Sequence, residues 1–328
     1  MSTLLITGGA GYIGSHMVLK ALEANHQVIV LDNLSTGFKQ AVLGGEFIEG
    51  DLKDKKLLSD LFKRYRFDAV MHFAASIEVE ESVSIPVKYY ENNFCNTLNL
   101  LSVMLEHDVK QFIFSSTAAI FGDPQYLPID TQHPKHPLNP YGQAKWMVEQ
   151  ILQDYDLAYG LKSIALRYFN AAGANPSGKL IERRKKPTHI IPIVLQAAQG
   201  IRENVKIFGT DYDTPDGTCV RDYIHVNDLC DAHLLALSVL NHLPRSTAYN
   251  LGNGKGFSVK EVIETAEEIT GKKIKTINAP RRAGDSPCLI ADSSQAKKEL
   301  GWTPRYPDVK TIIEHAWRAS WVHDACFS

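Results

Sequence analysis

The stretch Thr7-Gly8-Gly9-Ala10-Gly11-Tyr12-Ile13-Gly14 constrains this chain more than any other. An apolar, β-branched run, Thr3-Leu4-Leu5-Ile6-Thr7, precedes it, and an amphipathic helical pattern from about Tyr12 to Ala24 follows. Strand, glycine turn, helix is the setting in which such a motif binds a dinucleotide. Residues without a Cβ let the backbone approach a pyrophosphate, and the helix turns its free N–H groups and positive dipole end toward it. The alternative is a glycine turn that only packs helix on strand. Asp32 favours the dinucleotide, because it closes a second apolar strand, Gln27 to Leu31, eighteen residues after Gly14. A carboxylate there accepts hydrogen bonds from an adenosine ribose and repels a 2′-phosphate, so NAD is expected over NADP.

A chain of 328 residues can bury a large core and is expected to divide into two domains. A formal net charge of −2 argues against a general affinity for nucleic acid or anionic membrane. The five cysteines, Cys95, Cys219, Cys230, Cys288 and Cys326, show no C-x-x-C and no regular spacing, which fits reduced thiols in a cytoplasmic protein. The first strand begins too early to leave room for a signal peptide, and no run is long and apolar enough to span a membrane.

Along the chain, residues 47–51 read as a short strand ending in Asp51, which either meets an adenine amino group or caps the helix expected over 55–65. Residues 69–75 form a fourth strand that ends in small residues, where backbone passes close to a cofactor; His72 within it reads as a packed strand-end histidine. One long helix is expected over 86–106, with Pro86 in its first turn. A fifth strand, 111–115, leads into Ser116-Thr117-Ala118-Ala119, hydroxyls at the carboxyl end of a strand, where α/β folds bind ligands, or else caps of the turn. The next helix, over 140–159, carries Tyr141 and Lys145 four apart on one face. A lysine cation beside a phenol favours phenolate, and such a tyrosine works as general base or acid near neutral pH. The same spacing recurs at Tyr306 and Lys310 without functional context, so placement discriminates: Tyr141 opens a helix directly after the strand bearing Ser115 to Thr117.

A sixth strand, 163–167, runs into Tyr168-Phe169-Asn170. Strands alternating with helices predict an α/β fold, a doubly wound parallel Rossmann sheet over 1–173, followed by a smaller mixed α/β domain over 174–328, parts of which return to the first. The loop 175–188 carries Arg183-Arg184-Lys185-Lys186, read as a solvated basic run. Beyond it lie helices over about 189–199, 227–240 and from a capping box at Ser258. Arg221, Arg282 and Asp285 are suited to a diphosphate and a ribose, or to a surface salt-bridge network.

Read together, residues 7–14, Asp32-Asn33-Leu34, Glu49-Gly50-Asp51, His72-Phe73-Ala74, residues 115–118, Tyr141-Gly142-x-x-Lys145, residues 167–170, Val220 to Val226 and Pro280-Arg281-Arg282-x-Gly284-Asp285 resemble, in order and over essentially the whole chain, the UDP-glucose 4-epimerase family. That family lies within the extended short-chain dehydrogenases/reductases. The resemblance implies an enzyme of galactose metabolism that interconverts UDP-galactose and UDP-glucose through NAD-mediated oxidation at C4, turning of the 4-keto sugar and re-reduction. It implies Thr117, Tyr141 and Lys145 as the catalytic residues, no metal, and a homodimer through the helices near 86–106 and 140–159. NAD contacts are implied at Gly8, Gly11, Tyr12, Ile13, Gly14, Asp32, Asn33, Asp51, Leu52, Phe73, Ala74, Asn92, Ser115, Tyr141, Lys145 and Tyr168. UDP-sugar contacts are implied at Thr117, Asn170, Phe208, Arg221, Tyr223, Arg282, Asp285 and Leu289.

Three positions depart from or vary on the family pattern. Thr117 stands where many relatives have Ser, and the hydroxyl survives. Ile77 stands where some relatives carry a pyrophosphate-binding Lys, which removes a cation from the NAD site. Leu289 stands where relatives restricted to the plain hexose carry Tyr, which leaves room for an N-acetyl group at C2 and implies turnover of UDP-N-acetylglucosamine and UDP-N-acetylgalactosamine. A 4,6-dehydratase of the same superfamily would place an Asp-Glu pair after the hydroxyl, where this chain has Ala118-Ala119. A UDP-glucuronate decarboxylase is a second rival. A non-catalytic NAD-sensing protein would have no need to keep Thr117, Tyr141 and Lys145 together.

Overall fold

The computed structural model describes residues 1–184, 187–282 and 285–324. Strand and helix alternate through the first half: β1 (Thr3–Thr7), α1 (Tyr12–Glu23), β2 (Gln27–Asp32), β3 (Glu46–Glu49), α2 (Lys55–Arg64), β4 (Ala69–His72), α3 (Val79–Ser84), α4 (Pro86–Tyr89), α5 (Asn96–Glu106), β5 (Gln111–Thr117), α6 (Pro140–Tyr159) and β6 (Lys162–Tyr168). The second half is mixed: β7 (Asn170–Ala172), α7 (Ile190–Ala198), β8 (Val205–Phe208), β9 (Val220–His225), α8 (Val226–Leu240), β10 (Thr247–Leu251), β11 (Gly256–Ser258), α9 (Val259–Thr270), β12 (Thr276–Ala279), β13 (Cys288–Leu289), α10 (Ser294–Leu300) and α11 (Val309–Asp324).

Seven strands form one parallel sheet in the order β10-β6-β5-β4-β1-β2-β3. The strands are apolar almost without interruption because helices cover both faces. Met17, Val18 and Ala21 of α1 and Leu229, Ala232 and Ala236 of α8 pack on one face. Leu58 and Leu61 of α2, Leu100 and Met104 of α5, and Val148 and Leu152 of α6 pack on the other. Chain direction across the sheet reverses between β1 and β4, and in open parallel sheets ligands bind at the carboxyl ends of the strands flanking that reversal. Beside this body, β7 pairs with β9, which also takes β11 and β13, and β12 pairs with β8; a third apolar cluster, including Ile191, Val194, Val262 and Ile312, sits under them.

One feature differs from the sequence reading. The helix expected over 86–106 is continuous, but it widens between α4 and α5 into a π-helical stretch, Tyr90–Cys95. In this wide turn Asn93 is buried, and its amide accepts from Ser76 N at 2.8 Å and donates to Ser76 O at 2.8 Å, so the turn is shaped by the loop after β4. The sheet takes its edge strand β10, and α8 on one face, from beyond residue 173. The capping box at Ser258 is present as read, with Glu261 N donating to Ser258 Oγ at 3.0 Å. Among the described residues, no helix is long and apolar enough to cross a membrane and no group of His, Cys, Asp and Glu is arranged to hold a metal ion.

Candidate active site

The glycine turn is packed backbone to backbone. Gly8 has φ +73°, and a Cβ there would lie 2.4 Å from Ala74 N; a Cβ on Gly14 would lie 2.1 Å from Gly8 O. Only glycine permits the turn, the start of α1 and the end of β4 to meet this closely. The N-cap of α1 is Gly11, with no side-chain cap and no acid in the first turn, so the first N–H groups of the helix are left for an anion. The cradle therefore fits a dinucleotide diphosphate. Tyr12 begins that helix, its hydroxyl donating to Gly173 O at 2.7 Å, and Ile13 packs on the core beneath.

Asp32 is buried at the end of β2. Its carboxylate accepts from Ala10 N at 2.9 Å and Leu34 N at 2.8 Å, tying the strand end to the glycine turn. Burial pushes its carboxyl up, and the two N–H donors oppose this. Asn33 donates to Asp51 at 2.8 Å, and Asp51 also accepts from Lys53 N at 2.9 Å. The cap of α2 is Asp54, which accepts from Leu57 N at 3.0 Å, so Asp51 does not cap that helix. Leu52 is buried beside it. At the end of β4, the Phe73 ring lies 4.8 Å from that of His233, and Ala74 touches the glycine turn. Asn92 reaches Ser76 Oγ at 3.3 Å from the π-helical stretch. His72 is the packed histidine the sequence suggests: it bonds Thr7 Oγ1 at 2.7 Å and Thr97 Oγ1 at 3.0 Å, and burial drives its pKa down to about 3.

The second group stands where β5 meets α6. Asn139 caps α6 through Gly142 N at 2.9 Å, and Pro140 opens it. A Cβ on Gly142 would lie 2.6 Å from Ala119 O, so the helix start presses against the turn after Thr117. Thr117 Oγ1 accepts from Ala119 N at 3.1 Å, and its hydroxyl is close enough to the Tyr141 phenol to pull that pKa down. Tyr141 is half-buried, and the Tyr89 ring stands edge-on to it at 6.5 Å. Lys145 is buried; its Nζ donates to Ser115 O at 2.8 Å and lies 4.7 Å from the Phe114 ring centre. Burial lowers the Lys145 pKa to about 7, opposed by the Glu149 charge. Tyr168 pairs in register with Thr117, and its hydroxyl meets His233 Nε2 at 2.6 Å.

The Tyr141–Lys145 spacing predicts a phenol lowered by the lysine. In the chain alone the phenol is instead pushed above its ordinary value, chiefly by burial; Thr117 and Arg184 pull it down, and Glu78 pushes it up. The Lys145 charge is not among the causes, because burial makes the lysine lose its proton well before the phenol titrates. The matching pair at Tyr306 and Lys310 has no such setting: Lys310 is tied to Glu268 at 2.5 Å, and the Tyr306 ring packs on His225.

The remaining candidates lie in the second half. Asn170 pairs with Tyr223 across β7 and β9, and its amide donates to Asp222 O at 3.3 Å. Tyr223 itself lies in the third apolar cluster. Arg221 and Asp285 face each other at 3.5 Å, and the Arg282 guanidinium stacks 3.9 Å from the Phe208 ring centre. Ala283 and Gly284 of that loop lie outside the described residues. Leu289 pairs with Arg221 and packs on the cluster of Ala118, Ile120, Phe121 and Ile129, which brings it to the turn after Thr117.

Two groups escape the sequence reading. Asp222 is buried and accepts from Asn253 N, Gly254 N and Ala291 N at 2.7, 2.9 and 3.2 Å, tying β9 to the segments after β10 and β13. Arg184 is not the solvated side chain expected of the basic run. It bonds Glu182 at 2.7 Å and Glu78 at 2.7 Å, and Glu182 also takes His189 Nδ1 at 2.8 Å. Burial pushes the Glu182 carboxyl up, but His189 and Arg184 outweigh it and hold it below its usual value. Lys185 and Lys186 lie outside the described residues.

A glycine cradle for a dinucleotide and a Thr/Tyr/Lys group, both at the carboxyl ends of strands in one doubly wound parallel sheet, define a nucleotide-dependent enzyme of the Rossmann class. Residues 4–252 match the NAD dependent epimerase/dehydratase family, and the chain belongs to it. Within that family, it is 53% identical to a UDP-glucose 4-epimerase from Halalkalibacterium halodurans, over 96% of this chain and 94% of the relative. The crystal structure of UDP-glucose 4-epimerase from Brucella ovis in complex with NAD superposes with a TM-score of 0.94 at 44% identity, over 97% of this chain and 98% of that one. The enzyme from Bifidobacterium longum in complex with NAD⁺ and UDP gives a TM-score of 0.93 at 39% identity, over 98% of this chain and 99% of that one.

Proposed function

We propose that the chain is a UDP-glucose 4-epimerase that interconverts UDP-galactose and UDP-glucose with NAD as resident cofactor. The observation that carries this is the grouping of Thr117, Tyr141 and Lys145 at the carboxyl end of the sheet that bears the glycine cradle; the Arg221–Asp285 pair and Arg282 in the second half support it. Bound NAD would supply the hydride acceptor and donor for C4. Tyr141 takes the proton of the sugar 4-hydroxyl and returns it, while Thr117 bonds the 4-oxygen. Lys145 would hold the nicotinamide ribose. Arg221 and Arg282 hold the diphosphate and Asp285 the uridine ribose, so UDP stays fixed while the sugar turns. Asn170, Phe208 and Tyr223 complete the UDP side. Asp32, Asn33, Asp51 and Leu52 surround the adenosine, and Phe73, Ala74, Asn92, Ser115 and Tyr168 the rest of the cofactor. In domain terms, residues 1–173 bind NAD and residues 174–328 bind the UDP-sugar. Ala118-Ala119 after Thr117 speaks against a dehydratase. The deciding experiment incubates purified protein, with no added cofactor, with UDP-galactose; formation of UDP-glucose supports the reading, and none overturns it.

The protein acts in the cytoplasm as a homodimer. Exposed Val83 and Val87 on α3 and α4 and Leu157 and Tyr159 on α6 support an interface on these helices, and sedimentation measures it.

Two expectations follow from the site. Asp32 makes apo protein bind NADP⁺ at least roughly tenfold more weakly than NAD⁺, because a 2′-phosphate meets a buried carboxylate. Titration of apo protein with both nucleotides checks this. Leu289 leaves an open volume, and its apolar surface suits an acetyl methyl group. The protein therefore also interconverts the N-acetylated UDP-hexoses, and Leu289→Tyr lowers that turnover roughly tenfold or more while largely sparing the hexose pair. Steady-state rates on both pairs decide; no turnover of the acetylated pair by the parent refutes the open pocket.

A further inference from the structure

Glu78 and Arg184 stand 106 residues apart in the chain, yet their side chains bond at 2.7 Å. Glu78 follows the carboxyl end of β4, and Arg184 ends the stretch of residues 173–184 that follows β7. Each is anchored to its own bank. The Tyr89 hydroxyl donates to Glu78 O at 2.6 Å, and the Tyr89 ring stands edge-on to Tyr141. Arg184 is held by Glu182 on its own stretch, whose side chain is 5% exposed. That stretch starts beside α1, where Gly173 O accepts from Tyr12. It thus links the start of α1 to the loop after β4, the two flanks of the sheet's reversal. The Arg184 charge acts on both the Tyr12 and the Tyr141 phenols, as expected of a cation over the cleft they border.

We propose that the Glu78–Arg184 pair is a clasp that closes the crevice over bound NAD and sets how fast the cofactor leaves. This rests on the reading of NAD as the ligand of the glycine cradle. A dinucleotide lying along the carboxyl ends of β1 and β4 leaves only when the covering segment lifts. Lifting carries Arg184 and Glu182 together, so the bond that opens is the one to Glu78. Glu78 is 38% exposed and Arg184 17%, so the freed carboxylate is readily rehydrated and the clasp is reversible.

The test measures release of NAD from the purified holoprotein after dilution, with a dehydrogenase that consumes free NAD as the trap. Glu78→Gln keeps the shape of the side chain and leaves the Arg184–Glu182–His189 group intact. It and Arg184→Gln are each expected to release NAD about tenfold faster than the parent, an effect between those of exposed and buried ion pairs. The double variant is expected to release no faster than the faster single, because both remove one bond. Added salt speeds release from the parent but not from Glu78→Gln. Parental rates in both single variants, or effects that multiply in the double, overturn the clasp. Failure of the NAD reading shows separately, as a parent that neither retains nor rebinds NAD, and it overturns the clasp as well.

Discussion

Tyr141→Phe lowers the turnover number by at least two orders of magnitude and leaves the fold in place. The substitution keeps the ring, its half-buried site and its edge-on contact with Tyr89, and removes one hydroxyl. In the proposed mechanism that hydroxyl, at the start of α6, takes a proton from a sugar hydroxyl and gives it back, and its loss removes the contribution of a general acid–base group, about 10²–10⁴-fold. Thr117 does not replace it, because its oxygen is committed to Ala119 N and an aliphatic alcohol is a far poorer base. The stability cost is small, because the substitution leaves the ring and its packing in place. Steady-state kinetics on UDP-galactose, with a melting curve and the NAD content of the same sample, measure this. Near-parental turnover removes Tyr141 from the mechanism.

The protein unfolds steeply in mild acid. His16, His72, His225 and His233 are buried, and burial drives their pKa values down to about 4, 3, 3 and 4, with Lys145 adding to the effect at His72 and His315 at His225. In the unfolded chain each titrates near 6.5, so below that pH the unfolded state binds protons that the folded state refuses. Stability from these groups is fully present above pH 6.5 and falls as pH drops toward the folded values. Asp222, pushed by burial up to about 6, and Asp32 and Asp228, also raised by burial, act in the opposite sense because their folded forms take protons first. A net uptake of at least two protons on unfolding near pH 5 corresponds to about 3 kcal/mol lost per pH unit. Against a typical stability of about 5–15 kcal/mol, a loss at that rate from about pH 6.5 puts the midpoint near pH 5 at the lower figure and below about pH 3 at the upper. Circular dichroism across pH 7 to 3 reads the midpoint, and denaturant unfolding at pH 6.5 and 5 reads the slope; a stability flat over that interval rules the histidines out.

What could be read without coordinates was local. The strand–turn–helix at residues 3–24 announces itself because apolar periodicity and glycine spacing both act within a few residues, and the start of α6 does the same through the Tyr141/Lys145 face. The π-helical turn at Tyr90–Cys95 was illegible because its cause, the bonds from Asn93 to Ser76, comes from a loop seventeen residues away. The direction of the Tyr141 shift was missed because the spacing of Lys145 says which helical face it occupies but not how deeply the fold buries both groups, which raises the phenol and lowers the lysine. Arg184 looked like one of four basic residues in a row; its two carboxylate partners, one of them 106 residues distant, are a property of the folded chain alone.

The edge strand β10 gives the folding of this chain an order. Until Thr247–Leu251 is in place, β6 ends the sheet with an unpaired row of amides and carbonyls, along residues as apolar as Ile164 and Leu166. Such an edge recruits any extended chain nearby. During synthesis, about eighty residues must still emerge after β6 before that row is covered, several seconds at ordinary ribosomal speed. A fragment ending after residue 173 never covers it. Such fragments are therefore expected to aggregate rather than to stand as free dinucleotide-binding units, which light scattering of a chain cut after residue 173 measures.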